Sequence, residues 1–338
     1  MKKYSWLLGS GLLLGLLAIV VVLSDCGGPE PKAPQESQTP KPKKVSIPAF
    51  NADSAYALIE KQVSFGPRVL GSEGHDQAKE WLINQFEELG WKVIRQDFTA
   101  EVYTGEKFPA TNIIAQMNPE ATDRILLAAH WDTRHVADSP LSTERQDEPI
   151  LGADDAGSGV AVLLEIARQL TATPISTGID IVLFDAEDYG QSGAGAPDSY
   201  ALGSQFWARN VHTPYKPRFG ILLDMVGAEG AQFKIEGYSY LYAREYVDKI
   251  WTLAKRMGKN NYFVFEEGGG VTDDHYYVNT IAQIPMLDII NLAGSDATAF
   301  GAHWHTHQDN LDIIDKNTLR AVGQVVLAVL YRDEAGLL

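Results

Sequence analysis

The chain carries a single cysteine in 338 residues, Cys26, close to its start. One thiol excludes a disulfide framework, a cysteine-based zinc site and an intramolecular redox pair. Basic residues are also scarce, with 28 Lys and Arg against 44 Asp and Glu and a formal net charge of −16. That balance excludes general nucleic-acid binding, which relies on clustered Lys and Arg. No G-x-S-x-G nucleophile elbow occurs. The glycine triplet Gly268-Gly269-Gly270 lacks the GKS or G-x-G-x-x-G context of a phosphate-binding loop.

What is present is apolar and aromatic. The chain is 45% hydrophobic and contains 7 Trp, 14 Tyr and 12 Phe, enough for a sizeable core and too much for a mostly disordered chain. Lys2-Lys3 precede an apolar run over residues 6–23, followed by Ser24-Asp25-Cys26. A basic start, an apolar stretch and a lone Cys just beyond it form the pattern of an export signal ending at a lipoprotein attachment site. An uncleaved single-span anchor is the alternative, since the run is just long enough to cross a bilayer. A buried helix is the third reading. The first two attach the chain to a membrane through its N-terminus, on the periplasmic side of a bacterial cell envelope. They make residues 1–26 a leader or anchor with Cys26 as lipid anchor. Residues 27–46, rich in Pro, Lys and Gln, are then a flexible tether, and residues 47–338 a single catalytic domain.

Within that domain, Asp53 is positioned to cap a helix through about Gln62, and Ser72 a second one that stops at Gly90. Strands are expected over residues 91–103, 111–117, 124–129, 179–184, 219–225 and 285–290. Helices are expected over 158–170, 201–210, 240–257 and 316–331. The alternation predicts an α/β three-layer sandwich with a mixed, mostly parallel central sheet flanked by helices. The early consecutive strands predict an antiparallel edge.

Open α/β sheets bind ligands beyond the carboxyl ends of their strands, and the polar residues gather there. One strand runs into His130-Trp131-Asp132, another into Asp185-Ala186-Glu187-Asp188, a third into Asp224, and the last leads to His303-Trp304-His305-Thr306-His307. Gly152-Ala153-Asp154-Asp155 opens a helix between the first two. A single Asp at a strand end is ordinarily a cap, but five groups in successive strand-end loops favour a metal site. Without thiols, imidazole and carboxylate are what this chain can offer a zinc ion. Glu187 and Asp188 are adjacent at one strand end, so one can bind metal while its neighbour serves as a general base.

The set HWDT, GADDAGSG, FDAED, LLDM, DDH and WHTHQDN resembles the zinc aminopeptidase superfamily, and within it the animal-type glutaminyl-peptide cyclotransferases of bacteria. The resemblance runs from about residue 49 to the C-terminus. It implies a zinc aminopeptidase-like fold and one catalytic zinc held by Asp155, Asp188 and His305. It also implies Glu187 as general acid/base, Asp273 as a hydrogen-bonding partner of the reacting groups and Asp224 as the partner of Asp273. Trp304 becomes a wall of the substrate pocket, with His130 and Trp131 as further pocket candidates; packing is the other reading of Trp131. The segment DSYALGS over residues 198–204 is similar to the cyclases' D-S-x-x-G-S segment. The implied reaction converts an N-terminal glutamine, with glutamate as a second candidate, to pyroglutamate with release of ammonia, by a monomer.

Two departures keep alternatives open. Asp188 stands where the animal enzymes have Glu. His130 and Asp224, with Asp155, Asp188 and His305, match the ligand set of a two-zinc aminopeptidase, so a second ion is the alternative, and a non-catalytic envelope binding domain is another. His303 and His307 are candidates for a pocket or supporting role. The polar segment 141–149 is expected to be a solvent loop.

Overall fold

The computed structural model describes residues 45–192, 196–211, 215–294 and 297–338. The expected leader, Cys26 and the tether up to residue 44 lie outside the described residues. Among the described residues, no helix is long and apolar enough to cross a membrane.

A six-stranded sheet forms the frame. Its strands are β1 (Lys92–Glu101), β2 (Lys107–Met117), β3 (Arg124–His130), β4 (Gly178–Phe184), β5 (Gly220–Asp224) and, last in the chain, β8 (Met286–Ile290). Their spatial order is β1-β2-β4-β3-β5-β8. β1 pairs antiparallel with β2, and β2 antiparallel with β4. The pairs β4–β3, β3–β5 and β5–β8 are parallel. The expected mixed sheet with an antiparallel edge is therefore present.

The four parallel strands are buried along their whole length, as strands covered on both faces must be. Side chains alternate between two cores. Ile125, Leu127, Ile181, Leu183, Ile221 and Leu287 face a large cluster containing α1 (Ala52–Val63), α3 (Gly157–Ala172), α5 (Gly237–Arg256) and α7 (Lys316–Glu334). Leu126, Ala128, Val182, Phe184 and Leu222 face a smaller one with Trp207 of α4 (Leu202–Arg209) and with Val278, just after α6 (Asp274–Tyr277).

Local signals explain most boundaries. Ser72 caps α2 (Glu73–Glu88), its hydroxyl accepting from His75 N at 3.2 Å. Asp315 caps α7 by accepting from Asn317 and Thr318. The cap of α1 is Asn51, which accepts from Ser54 N, and not Asp53, which lies in the first turn. Two short strands escaped the sequence reading. β6 (Phe233–Glu236) and β7 (Phe263–Gly269) form a separate parallel pair. β6 has four residues, and β7 carries two Glu and two Gly, so neither offers a usable periodicity.

Helix α3 approaches β5 closely through Gly159. A Cβ at this position would press into the carbonyl oxygen of Leu223 and meet the Ala129 Cβ at 3.1 Å. Backbone cannot yield as a flexible side chain can, so overpacking is costly. We expect Gly159→Ala to lose about 1–3 kcal/mol, seen as a lower urea midpoint at an unchanged m-value. A midpoint equal to that of the wild type would contradict this contact.

Candidate active site and metal centre

The carboxyl ends of β3, β4 and β5 deliver His130, the Asp185–Asp188 turn and Asp224 to one place. Asp155 reaches it from the loop before α3, and His305 from the loop before α7. Ligand atoms of Asp155, Asp188 and His305 lie within 4.8 Å of one another, as do those of His130, Asp155 and Asp224. His305 Nε2 is 3.2 Å from Asp188 Oδ1 and 3.9 Å from Asp155 Oδ2. His130 Nε2 is 2.9 Å from Asp155 Oδ1 and 3.4 Å from Asp224 Oδ1. All five residues are buried.

Backbone turns aim these groups. Ala186, Met225 and His305 have φ of 57°, 50° and 53°, in the left-handed region that non-glycine residues rarely occupy. Each adjoins or is a site residue, which is where such conformations concentrate. Further buried carboxylates hold its loops. Asp132 accepts from Glu187 N at 3.1 Å and Asp188 N at 3.0 Å. Asp309 accepts from Asp154 N at 2.7 Å and Asp155 N at 3.1 Å. Asp154 accepts from Gly227 N and pairs with His303 Nε2 at 2.9 Å. Arg68, fully buried, donates to the carbonyls of Trp131, Leu151 and Gly152. His303 is thus a support of the Asp155 loop, whereas His307 only meets the Arg145 carbonyl at the surface.

The pocket above the cluster has a volume of about 260 Å³. Its acidic floor is Asp155, Glu187, Asp188, Asp224 and Asp273, and its walls include Met225, Val271, Ile290, Phe300 and Trp304. Trp304 stacks on the His305 ring at 3.8 Å and against Phe300 at 4.8 Å. A larger recess of about 460 Å³ lies by Ile94, Trp207 and Tyr215, away from these carboxylates. Chemistry, and not size, identifies the smaller pocket as the candidate site.

The carboxylates raise one another's pKa values. Glu187 is pushed well above the ordinary carboxylate range by the packed protein around it and by Asp188, Asp273 and Asp274, against the pull of His130. Asp224 is raised to about 8 by burial and the charge of Asp155. Ligand atoms of Asp273, His275 and Asp288 lie within 4.8 Å of one another beneath the pocket. Burial and the charges of Asp273 and Asp224 push the Asp288 pKa well up.

Most sequence-derived positions converge here, with two corrections. Trp131 is fully buried in the main core, donates from Nε1 to the Thr111 carbonyl at 3.2 Å and stacks on His75 at 4.3 Å. It does not line the pocket, because it follows His130 in the chain and its side chain turns to the opposite face of the sheet. His130 lies below the pocket among Asp132, Asp155 and Asp224, and is not part of the wall. Asp273 groups with His275 and Asp288, while Asp224 and Asp273 interact through their charges. Residues not anticipated are Asp288, Asp309, Arg68, Tyr200 and Phe300. Asp309 and Tyr200 stand inside the WHTHQDN and DSYALGS segments, where the resemblance assigns them no role, and the other three lie outside any motif.

The donor set suits zinc, since it offers imidazole nitrogen and carboxylate oxygen in two groups of three sharing Asp155. Asp188 Oδ2 is buried without a hydrogen-bond partner, which a bound cation would relieve.

The chain is similar to known proteins. The family model described as peptidase family M28 matches residues 112–330. The crystal structure of Tannerella forsythia glutaminyl cyclase is 49% identical, with a TM-score of 0.80, over 84% of this chain and 99% of that one. A leucine aminopeptidase precursor from Bacteroides thetaiotaomicron is 44% identical, with a TM-score of 0.81, over 85% and 99%. The glutaminyl-peptide cyclotransferase of Drosophila melanogaster is 25% identical over 75% of this chain and 73% of its own.

Glu236 ties the segments under the pocket together. It caps α5, and it accepts from Val271 N at 2.8 Å and pairs with His275 Nε2 at 2.9 Å. Burial would raise its pKa, but His275 and Ser239 outweigh burial and lower it to about 2. A depressed carboxylate contributes stability above its unfolded value of 4.5 that disappears as pH falls through about 2. The unfolding free energy of Glu236→Gln should therefore lie below that of the wild type near neutrality, and the gap should narrow toward pH ~2. A gap independent of pH over that window would refute the pairing.

Proposed function

The chain belongs to peptidase family M28, and from that membership we propose that it is a zinc-dependent glutaminyl-peptide cyclotransferase. The carrying observation is the meeting of Asp155, Asp188 and His305 in one cluster, with Glu187 beside them in a small pocket walled by Trp304 and Phe300. The curated and crystallographic relatives named as glutaminyl cyclases support the same assignment.

The substrate is a peptide whose first residue is glutamine. Its α-amine attacks the carbonyl carbon of the side-chain carboxamide, closing the ring and releasing ammonia. Asp155, Asp188 and His305 would hold one zinc ion, which when bound supplies Lewis acidity toward the carboxamide oxygen. Glu187 accepts a proton from the attacking amine and returns one to the departing nitrogen, a task suited to a carboxylate whose pKa is raised. Asp273, on the floor of the pocket, accepts hydrogen bonds from the amine side. The nucleophile is already tethered, so the walls of the pocket select the folded conformer and exclude water.

A second reading has a specific observation behind it. His130, Asp155 and Asp224 form another candidate ligand group, as a two-zinc aminopeptidase would need. The direct His130–Asp155 contact of 2.9 Å favours a hydrogen bond there. At His305 the Nδ1 atom is taken by Asp138 at 3.0 Å, leaving Nε2 to face Asp155 and Asp188. The basic start, apolar run and Cys26 support a lipid- or helix-anchored place on the periplasmic side of the envelope.

Incubation of the full chain with a peptide beginning in Gln should yield a product lighter by one ammonia and not shortened. Release of free glutamine would favour the aminopeptidase, and an unchanged peptide the binding domain. Glu187→Gln should keep its zinc and lose about 10²–10⁴-fold in kcat. Full activity in that variant would remove Glu187 from its role.

A further inference from the structure

An ion chain built on a buried guanidinium and a half-buried carboxylate leads away from His305 on the side opposite the cluster. Asp138 belongs to the loop after β3 and sits beside the segment expected to be a plain solvent loop. Its Oδ1 faces His305 Nδ1 at 3.0 Å. Arg134 donates to both Asp138 oxygens, through Nε at 3.1 Å and a terminal nitrogen at 2.6 Å. The same guanidinium donates to the carbonyls of Asp188 at 3.0 Å and Gly190 at 2.8 Å. Arg134 is 1% exposed, so its charge is compensated inside the protein. The second Asp138 oxygen accepts from Ser192 Oγ at 2.6 Å, and Ser192 meets the Tyr200 hydroxyl at 3.0 Å at the rim of the pocket. The Asp138 loop is pinned to the His305 loop a second time, by Ser139 N donating to the His305 carbonyl at 3.2 Å.

We propose that Asp138, held by Arg134, is the positioning residue that fixes the tautomer and ring orientation of His305 for metal binding. The inference rests on the zinc-enzyme reading above. Its logic is that an imidazole has two nitrogens, and only one can face the cluster. A carboxylate on Nδ1 requires the proton there and leaves the Nε2 lone pair directed at Asp155 and Asp188. A neutral acceptor would specify the tautomer less strongly. Arg134 makes the arrangement rigid, because one planar fork grips Asp138 while its remaining donors hold the backbone that carries Asp188. Two of the three ligands, His305 and Asp188, are thereby oriented by a single guanidinium. Ser192 and Tyr200 extend the same network to the mouth of the pocket.

The test is zinc affinity of the full chain, measured by competition with a chromophoric chelator and without substrate. Asp138→Asn should bind zinc about 10–100-fold more weakly, with the unfolding midpoint of the metal-free protein close to wild type. Zinc binding within twofold of wild type would overturn the proposal, as would an affinity loss matched by a general loss of stability. Asp138→Glu keeps the charge and displaces the ring, and it carries the test if the Asn variant does not fold. Its cobalt-loaded visible spectrum should shift from that of the wild type, and an unchanged spectrum with unchanged zinc affinity would overturn the proposal. Because no substrate is involved, a wild-type chain that binds zinc but fails to cyclise Gln peptides would count against the cyclotransferase reading alone.

Discussion

The structure is organised around the problem of burying several carboxylates next to one another. Asp155, Glu187, Asp188, Asp224 and Asp273 all line one small pocket, and below it lie Asp274 and Asp288, fully buried. Bringing like charges out of water is unfavourable unless each finds a proton, a donor or a cation. Burial and its acidic neighbours push the pKa of Asp288 well up, which favours its protonated form. Asp132 and Asp309, a layer further out, are satisfied by backbone N–H groups of the very loops that carry Asp155, Glu187 and Asp188. The remaining demand falls on Asp155, Asp188 and His305, where a divalent cation would answer it.

The same constraint explains why the surrounding loops are so firmly held. A carboxylate cage without its cation tends to spring apart. Here Arg68 clamps the loop before Asp155 through three carbonyls, and Arg134 clamps the turn after Asp188 through two. Burial lowers the Arg68 pKa to about 10, still leaving it charged at neutral pH. Neither guanidinium reaches the pocket as a ligand. Their role is to carry positive charge close to the acidic floor and to fix backbone, so that a cation and substrate meet an arranged site.

Much of this was legible in the sequence because it is local. Apolar runs ending in His130, Glu187-Asp188 and Asp224 mark buried strands with polar tips, and strand-end placement then brings those tips together. What the sequence could not convey is direction and distance. Trp131 follows His130 by one residue, yet alternation sends its side chain into the core against His75. Of the aromatic wall, Trp304 is anticipated, whereas its partner Phe300 lies in a loop with no periodicity. The short strands β6 and β7, rich in charge and glycine at one end, leave no pattern to detect. Asp138, Asp288 and Asp309 look like ordinary loop or strand acids until the fold places them against His305, Asp273 and Asp155.

The account stands or falls on where the cation sits. A crystal of the zinc-loaded protein, with anomalous diffraction collected on both sides of the zinc edge, locates bound ions directly. The account predicts one peak bounded by Asp155, Asp188 and His305, with His305 Nδ1 still on Asp138 and no second peak between His130 and Asp224. Two peaks of equal strength, or a peak only at His130 and Asp224, would contradict it.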